Sequence, residues 1–252
     1  SNSGTIRSSS QYTGGLFGHG ENCNIFHSRN DGNIICNYYG LAITAYSNYT
    51  GGLAGYAHNV FTIDSCVNNA SVTGSGSLGG IVGCADRACE LTNCMNTSNG
   101  YIYSDRGAAG GLVGICGSDN LYLQFENCAN YAYTDGPIAG GIFGYGKGNI
   151  FAENCFNGGI VKNYNNSGAL THKESSGTFT NCYYVSSDVT DDRGTMLSGS
   201  DCSKKLARLM NDYKNSLEPK PVYAFGMQIS SIDLAEQWKD WKIGGGVYNG
   251  YA

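Results

Sequence analysis

A five-residue phrase, Gly-Gly-[Leu/Ile]-x-Gly, recurs five times in this chain and restricts the folds open to it more than any other feature. The copies are GGLFG at 14–18, GGLAG at 51–55, GGIVG at 79–83, GGLVG at 110–114 and GGIFG at 140–144, with start-to-start spacings of 37, 28, 31 and 30 residues. A second phrase alternates with it, an apolar residue followed by x-[Asn/Ser]-[Cys/Ser]-x-Asn: IDSCVN at 63–68, LTNCMN at 91–96, FENCAN at 125–130 and AENCFN at 152–157, with partial copies FHSRN at 26–30 and FTNCY at 179–183. A fixed period near 30 residues is the mark of stacked repeats, in which no unit buries its apolar face alone. The apolar segments within each period are short and alternating, so each repeat reads as a coil of three short strands and three turns. Coils stack about 4.8 Å apart through backbone hydrogen bonds. The expected fold is all-β, a parallel β-solenoid (β-helix) of about six coils spanning residues 1–195.

Stacking turns equivalent residues into columns. The pairs Gly14 and Gly15, Gly51 and Gly52, Gly79 and Gly80, Gly110 and Gly111, and Gly140 and Gly141 fit a sharp corner where positive φ or a close approach of the next coil excludes a Cβ. Leu16, Leu53, Ile81, Leu112 and Ile142 form one buried column. Strict alternation sends the next residues, Phe17, Ala54, Val82, Val113 and Phe143, outward; a bend at the Gly phrase turns both columns inward. Cys66, Cys94, Cys128, Cys155 and Cys182 share one position, with Ser28 in the same column, and read as small buried hydrophobes. Asn68, Asn96, Asn130 and Asn157 are expected to stack, each amide bonding the next. A weakened sixth Gly phrase stands at Ser167-Gly168-Ala169-Leu170, and Asn2-Ser3-Gly4-Thr5-Ile6 matches the tail of a further repeat, as if the chain were cut inside a longer array.

Past residue 195 the repeats stop. Of 38 Gly, 33 precede residue 201, whereas 7 of 15 Lys and Arg follow residue 200. Residues 196–252 are expected to form a small α/β capping segment over an open end of the stack. It holds an amphipathic helix carrying Leu206, Leu209, Met210, Tyr213 and Leu217 on one face, N-capped by Ser200 or Asp201. A strand over 222–229, a helical turn at 232–238 and a closing Trp238–Ile243 segment follow.

These Gly phrases resemble the GLUG motif, and with the Asn-Cys-x-Asn phrases the chain is similar to the stacked-repeat regions of bacterial surface and adhesin-like proteins. The resemblance implies a right-handed solenoid in an extracellular protein, secreted or attached to the surface of a gut or mucosal bacterium, with no catalysis of its own. It implies adhesion or ligand binding, toward a host or mucosal glycoprotein, an immunoglobulin or a glycan, as part of a longer surface protein. A passive spacer that displays a neighbouring domain is the alternative. A polysaccharide-active enzyme is the third, and with only 8 Lys or Arg before residue 201 the basic residue such enzymes cluster with carboxylates has few candidates.

Formal net charge is -5 without a basic run, which leaves nucleic acid no electrostatic basis for binding, and no apolar run approaches the length of a transmembrane helix. GGLFGHG at 14–20 has the order G-x-x-G-x-G, not the dinucleotide fingerprint, and recurs without a following helix. The four histidines, His19, His27, His58 and His172, are isolated, HExxH is absent, and Cys84, Cys89 and Cys94 have atypical zinc spacing, so no metal, cofactor or catalytic group is expected. Asp191 and Asp192 lack the alternating ligand spacing of calcium loops and read as a polar loop. Tyrosines are the candidate ligand-binding residues: Tyr38, Tyr39, Tyr46 and Tyr49 in the long second repeat, and Tyr103 and Tyr133, each eight residues before the second Gly of its phrase, where Val72 holds the same place. Tyr is an amphipathic contact residue, although it also packs as half-buried sheet filler.

Overall fold

The computed structural model describes all residues except 37–47, 117–121, 163, 165, 186–188, 192, 199–203, 219, 225–226, 233–237, 243–245 and 248–252. The body is a β-solenoid of about five turns, every strand pairing in parallel with its equivalent one coil away. A partial sixth coil follows, in which Gly168 pairs with Gly140 and Thr171 with Phe143, so the weakened Gly phrase keeps its place.

Each coil has four sides where the spacing suggested three. Sheet 1 stacks Ile6–Ser8, Ile34–Cys36, Val72–Gly74, Tyr101–Ser104 and Tyr133–Asp135. Sheet 2 stacks Tyr12–Gly14, Tyr49–Gly51, Ser77–Gly79, Ala108–Gly110 and Ile138–Gly140. Sheet 3 begins with the long strands Phe17–Phe26, Ala54–Asp64 and Val82–Thr92, bent where Asn22, Asn59 and Arg87 take φ of 50°, 60° and 75°. Later coils split this side into two strands, Val113–Cys116 with Tyr122–Glu126 and Phe143–Tyr145 with Asn149–Glu153. Sheet 4 is narrow, from Arg29–Asn30 through Val67–Asn68, Met95–Asn96, Ala129–Asn130, Phe156–Asn157 and Tyr183–Tyr184 to Thr195–Met196.

The two sequence phrases prove to be halves of one contact. The asparagines ending each Asn phrase form a continuous buried ladder, with Nδ2 to Oδ1 distances of 2.8 Å from Asn2 to Asn30, 2.7 Å to Asn68, 2.8 Å to Asn96, 3.0 Å to Asn130 and 2.8 Å to Asn157. The ladder spans opposite corners of the coil. On one side Asn68 and Asn130 donate to the carbonyls of Ala70 and Ala132, and on the other Asn96 donates to Gly111 and Asn157 to Ala169. It meets the second Gly of each phrase at a distance that forbids a side chain: a Cβ on Gly80 would lie 2.4 Å from Asn96 Nδ2 and 2.2 Å from the Gly111 carbonyl. These glycines are required by close approach; the positive-φ glycines described are Gly76, Gly148 and Gly177. On either side of the ladder lies a core lobe, one around Leu53, Ile81, Leu112, Ile142, Phe61 and Phe125, the other around Ile34, Val72, Leu78 and Ile102.

A second asparagine in the phrase has a different task. Asn93, Asn127, Asn154 and Asn181 sit at the corner before sheet 4 with φ of 53°, 53°, 55° and 50°, in line with His27 and Ser65 at 48° and 56°. Asn tolerates this left-handed conformation better than most residues. Their side chains form a second ladder of 2.7 to 2.8 Å bonds.

The Gly phrase turns both following residues inward. Leu53 N and Ala54 N both donate to Ile81 O at 3.0 Å, and Ile142 N and Phe143 N to Leu170 O at 2.7 and 3.1 Å. Two successive amides aimed at one acceptor make a bulge, which puts consecutive side chains on one side of the strand. Ala54, Val82, Val113 and Phe143 are therefore fully buried, and only Phe17, on the first coil, is exposed.

The same pair of amides explains how the stack ends. Leu170 N and Thr171 N, lacking a following coil, both donate to Asp191 Oδ2 at 3.1 Å, so a carboxylate oxygen takes the place of the next carbonyl. Arg193 holds that carboxylate at 2.6 Å, donates to the carbonyls of Thr171 and Ser175, and lies over the Phe179 ring. Val189 joins the core, and Gly194 packs against Leu170. The end is thus closed by Val189, Asp191, Arg193 and Gly194, where the sequence alone reads Asp191 and Asp192 as a polar loop.

The expected cap lies elsewhere. The helix Lys204–Asn215 buries Leu206 and Met210 against Ala129, Phe156 and Leu197 on the outer face of sheet 4. Trp238 Nε1 donates to Glu126, and Trp241 Nε1 to Asn127 of the second ladder. Contacts from Met95 to Leu197 run along the flank, so this segment clasps the coils sideways. The expected N-cap at Ser200 or Asp201 and most of the turn at 232–238 lie outside the described residues. Lys220–Ala224 and Met227–Ile232 pair as an antiparallel hairpin.

Two substitutions check this construction by thermal or urea unfolding. Asn96→Ala orphans buried groups on both neighbouring coils and is expected to cost about 3 kcal/mol, at about 1–3 kcal/mol per unsatisfied group. Asp191→Ala leaves two end amides and the Arg193 guanidinium without their acceptor and is expected to cost about 3–5 kcal/mol.

Candidate functional site

The cysteine column is structural. Cys66, Cys94, Cys128, Cys155 and Cys182 are free and buried, each with its Sγ donating to the carbonyl two residues back at 3.2 to 3.4 Å. Ser28 makes the same bond with its hydroxyl at 3.0 Å in the first coil. Burial pushes the Cys128 and Cys182 thiols well up. Cys94 and Cys155 alternate with these thiols in the same buried column, so the five cysteines titrate as a coupled unit. Cys89 lies in the core between Phe61 and Leu123, and burial raises its thiol. Among the described residues, no three His, Cys, Asp or Glu side chains converge as a metal-ligand set.

Of the six tyrosines singled out from sequence, Tyr38, Tyr39 and Tyr46 lie outside the described residues. Tyr103 and Tyr133 are on the outer face of sheet 1, with Tyr101. Their register differs from the count along the chain: Tyr101 is level with Tyr133, Tyr103 with Asp135, and Val72 with the buried Ile102. Between sheets 1 and 2 the fourth coil holds two more residues than the fifth, since Ile102 to Ala108 matches Thr134 to Ile138, and counting back from the Gly phrase crosses that insertion. Tyr101, Tyr103 and Tyr133 retain 47%, 41% and 39% exposure, which places three rings on one face, with the Tyr101–Ser104 strand paired on both sides and the Tyr133–Asp135 strand paired with it on one side and bridged through Thr134 to Val161 on the other.

Tyr49 belongs to a different cluster. The outer faces of sheet 2 and the first half of sheet 3 form a wedge, closed near the Gly phrases by backbone contact; a Cβ on Gly83 would lie 2.4 Å from Thr50 N. Where the wedge opens over the first coils, Tyr12, Tyr49 and Tyr56 stack with ring centroids 5.0 to 5.7 Å apart. His19 lies 5.1 Å from Tyr56, and His58 6.4 Å from His19. Asp86 Oδ2 accepts from Tyr56 Oη at 2.9 Å and contacts His58 Nδ1 at 2.8 Å. Burial raises the Tyr49 phenol, helped by Cys84 beside it; burial and then the hydrogen bond to Asp86 raise that of Tyr56. These histidines are isolated along the sequence and become neighbours through stacking, since Glu21, His58 and Asp86 share one row across three coils. The signal was available in the coil alignment, not in any local motif.

The thiol geometry carries its own check. All five column cysteines are expected to resist a soluble thiol reagent in the native protein, whereas the half-buried Cys23 and Cys116 react. Cys94→Ser, which reproduces the bond of Ser28, is expected to lose no more than about 1.5 kcal/mol by urea unfolding. Comparison of the chain with protein-family models, with curated proteins and with solved structures gave no match.

Proposed function

We propose that this chain is a non-enzymatic, extracellular binding module, whose ligand is a host or mucosal glycoprotein, an immunoglobulin or a glycan, and that sheet 1 is its binding face. The observation that carries this reading is the platform of Tyr101, Tyr103 and Tyr133. Ile102 and Thr134, between and beside them, are fully buried, so the strand is anchored from within while the rings stay out. Tyr supplies large, rigid, amphipathic contact area at low cost in side-chain entropy. Rings held at strand spacing on a coil stack are already ordered before a partner arrives, which reduces the entropy lost on binding. Asp135 and Lys162, paired at 3.1 Å beside Tyr103 and Tyr133, add a polar edge of the kind that borders contact surfaces. Assignment to a bacterial surface protein rests on the likeness of the Gly phrases to the GLUG motif. Among the described residues no helix is long and apolar enough to cross a membrane.

The test is an array of mucosal glycoproteins, immunoglobulins and glycans probed with the native chain and with a Tyr101→Ala, Tyr103→Ala, Tyr133→Ala variant. The three rings are substantially exposed, so the variant is expected to melt within a few degrees of the native protein while losing at least about tenfold in affinity, or about 1.4 kcal/mol. Equal binding by both proteins contradicts the assignment of the face. Absence of binding across the array favours the spacer reading.

A further inference from the structure

The repeats supply an internal comparison for the wedge between sheets 2 and 3. On its sheet 2 side, successive coils carry Tyr12, Tyr49, Ser77, Ala108 and Ile138; on its sheet 3 side they carry His19, Tyr56, Cys84, Ile115 and Tyr145. The third and fourth coils fill the wedge with Ser77, Cys84 and Ala108, which are buried, and Ile115, which is half-buried, so the fold itself demands neither aromatic rings nor imidazoles and carboxylates there. The first coils nevertheless hold Tyr12, His19, Tyr49 and Tyr56, with the row of Glu21, His58 and Asp86 alongside.

We propose that the mouth of this wedge over the first three coils is a separate binding site for a neutral sugar ring. Asp86 contacts His58 through Nδ1, which turns the Nε2 edge of the imidazole away from the carboxylate and fixes the ring for a ligand hydroxyl. One coil away in the same row, the exposed Glu21 carboxylate accepts from Asn59 Nδ2 at 2.6 Å and is thereby held as a second hydroxyl acceptor. His19 is exposed and tilted at 39° to Tyr56 and 55° to Tyr12, so its ring is not sealed within the tyrosine stack. Fixed polar groups that set orientation beside aromatic rings that supply contact area are the usual composition of a small-molecule site. Two carboxylates in the row disfavour an acidic sugar, since like charge within a few ångströms opposes binding. This site lies on the opposite side of sheet 2 from the core it shares with sheet 1, and its failure leaves the tyrosine platform untouched.

Saturation-transfer NMR tests it with the Tyr101→Ala, Tyr103→Ala, Tyr133→Ala protein, in which the platform is removed. The probes are the methyl glycosides of galactose, mannose and N-acetylglucosamine, with the methyl glycoside of N-acetylneuraminic acid as the acidic comparison. At least one neutral probe is expected to receive saturation, with affinity falling about tenfold in His58→Ala and in Glu21→Gln. The acidic probe is expected to receive none. Glu21 is exposed, so Glu21→Gln keeps the test valid if His58→Ala unfolds. Silence from all neutral probes, binding that survives both substitutions, or preference for the acidic probe overturns the proposal.

Discussion

Contact between an asparagine ladder and a bare glycine backbone is the interaction on which the rest of this molecule depends. A narrow solenoid must bring opposite walls together without leaving buried backbone groups unpaired. Here Asn side chains do so, bonding along the stack to one another and across it to carbonyls at both corners. They fit only because the facing position is Gly in five successive coils. The sixth phrase has Ala169 at that position; no further coil follows it, and the constraint lapses. Each polar spine residue is satisfied by its neighbours, so the ladder is favourable as a whole and costly when broken at one rung.

The C-terminal end and one flank of the stack follow from the same logic of unpaired or uncovered groups. A solenoid end exposes strand edges that invite further pairing. Asp191 and Arg193 answer this at the last coil by imitating a missing rung, an acceptor for two amides and donors for carbonyls. The helix and tryptophan segment address a different problem, an apolar outer face on sheet 4 formed by Met95, Ala129, Phe156 and Tyr183, which they cover. On sheet 1, by contrast, Tyr101, Tyr103 and Tyr133 stay 39% to 47% exposed, and the proposed binding face rests on that difference.

Much of this architecture was legible because stacking repeats each constraint. From the spacing of the Gly and Asn phrases follow the parallel stack, the Leu and Ile column (buried from Leu53 onward, half-buried at Leu16), the buried thiols and the Asn ladder, each through several equivalent residues. What escaped was whatever occurs once or depends on three dimensions. Three sides became four because the strands of sheet 4 are only two residues long in every coil, too short to show an alternating pattern. Asp191 acts through a single carboxylate oxygen and leaves no periodic trace. The level of Tyr101 with Tyr133 was hidden by two extra residues at one corner, and the union of His19, His58 and Asp86 arises only when coils are laid on one another. The candidate sites are harder to read than the scaffold for this reason: a scaffold position is sampled in every coil, a candidate binding residue in one or two.

The central claim, that a buried amide ladder locks against the glycine pairs, is tested most directly by hydrogen exchange at the asparagine side chains, followed by NMR on the native protein. The Nδ2 protons of Asn68, Asn96, Asn130 and Asn157 are expected to exchange as slowly as the core strand amides, because each is enclosed and bonded on neighbouring coils. The exposed Asn149 provides the fast reference within the same molecule. Exchange of the four ladder amides at the rate of Asn149 would show that the ladder is open to water and would contradict the account.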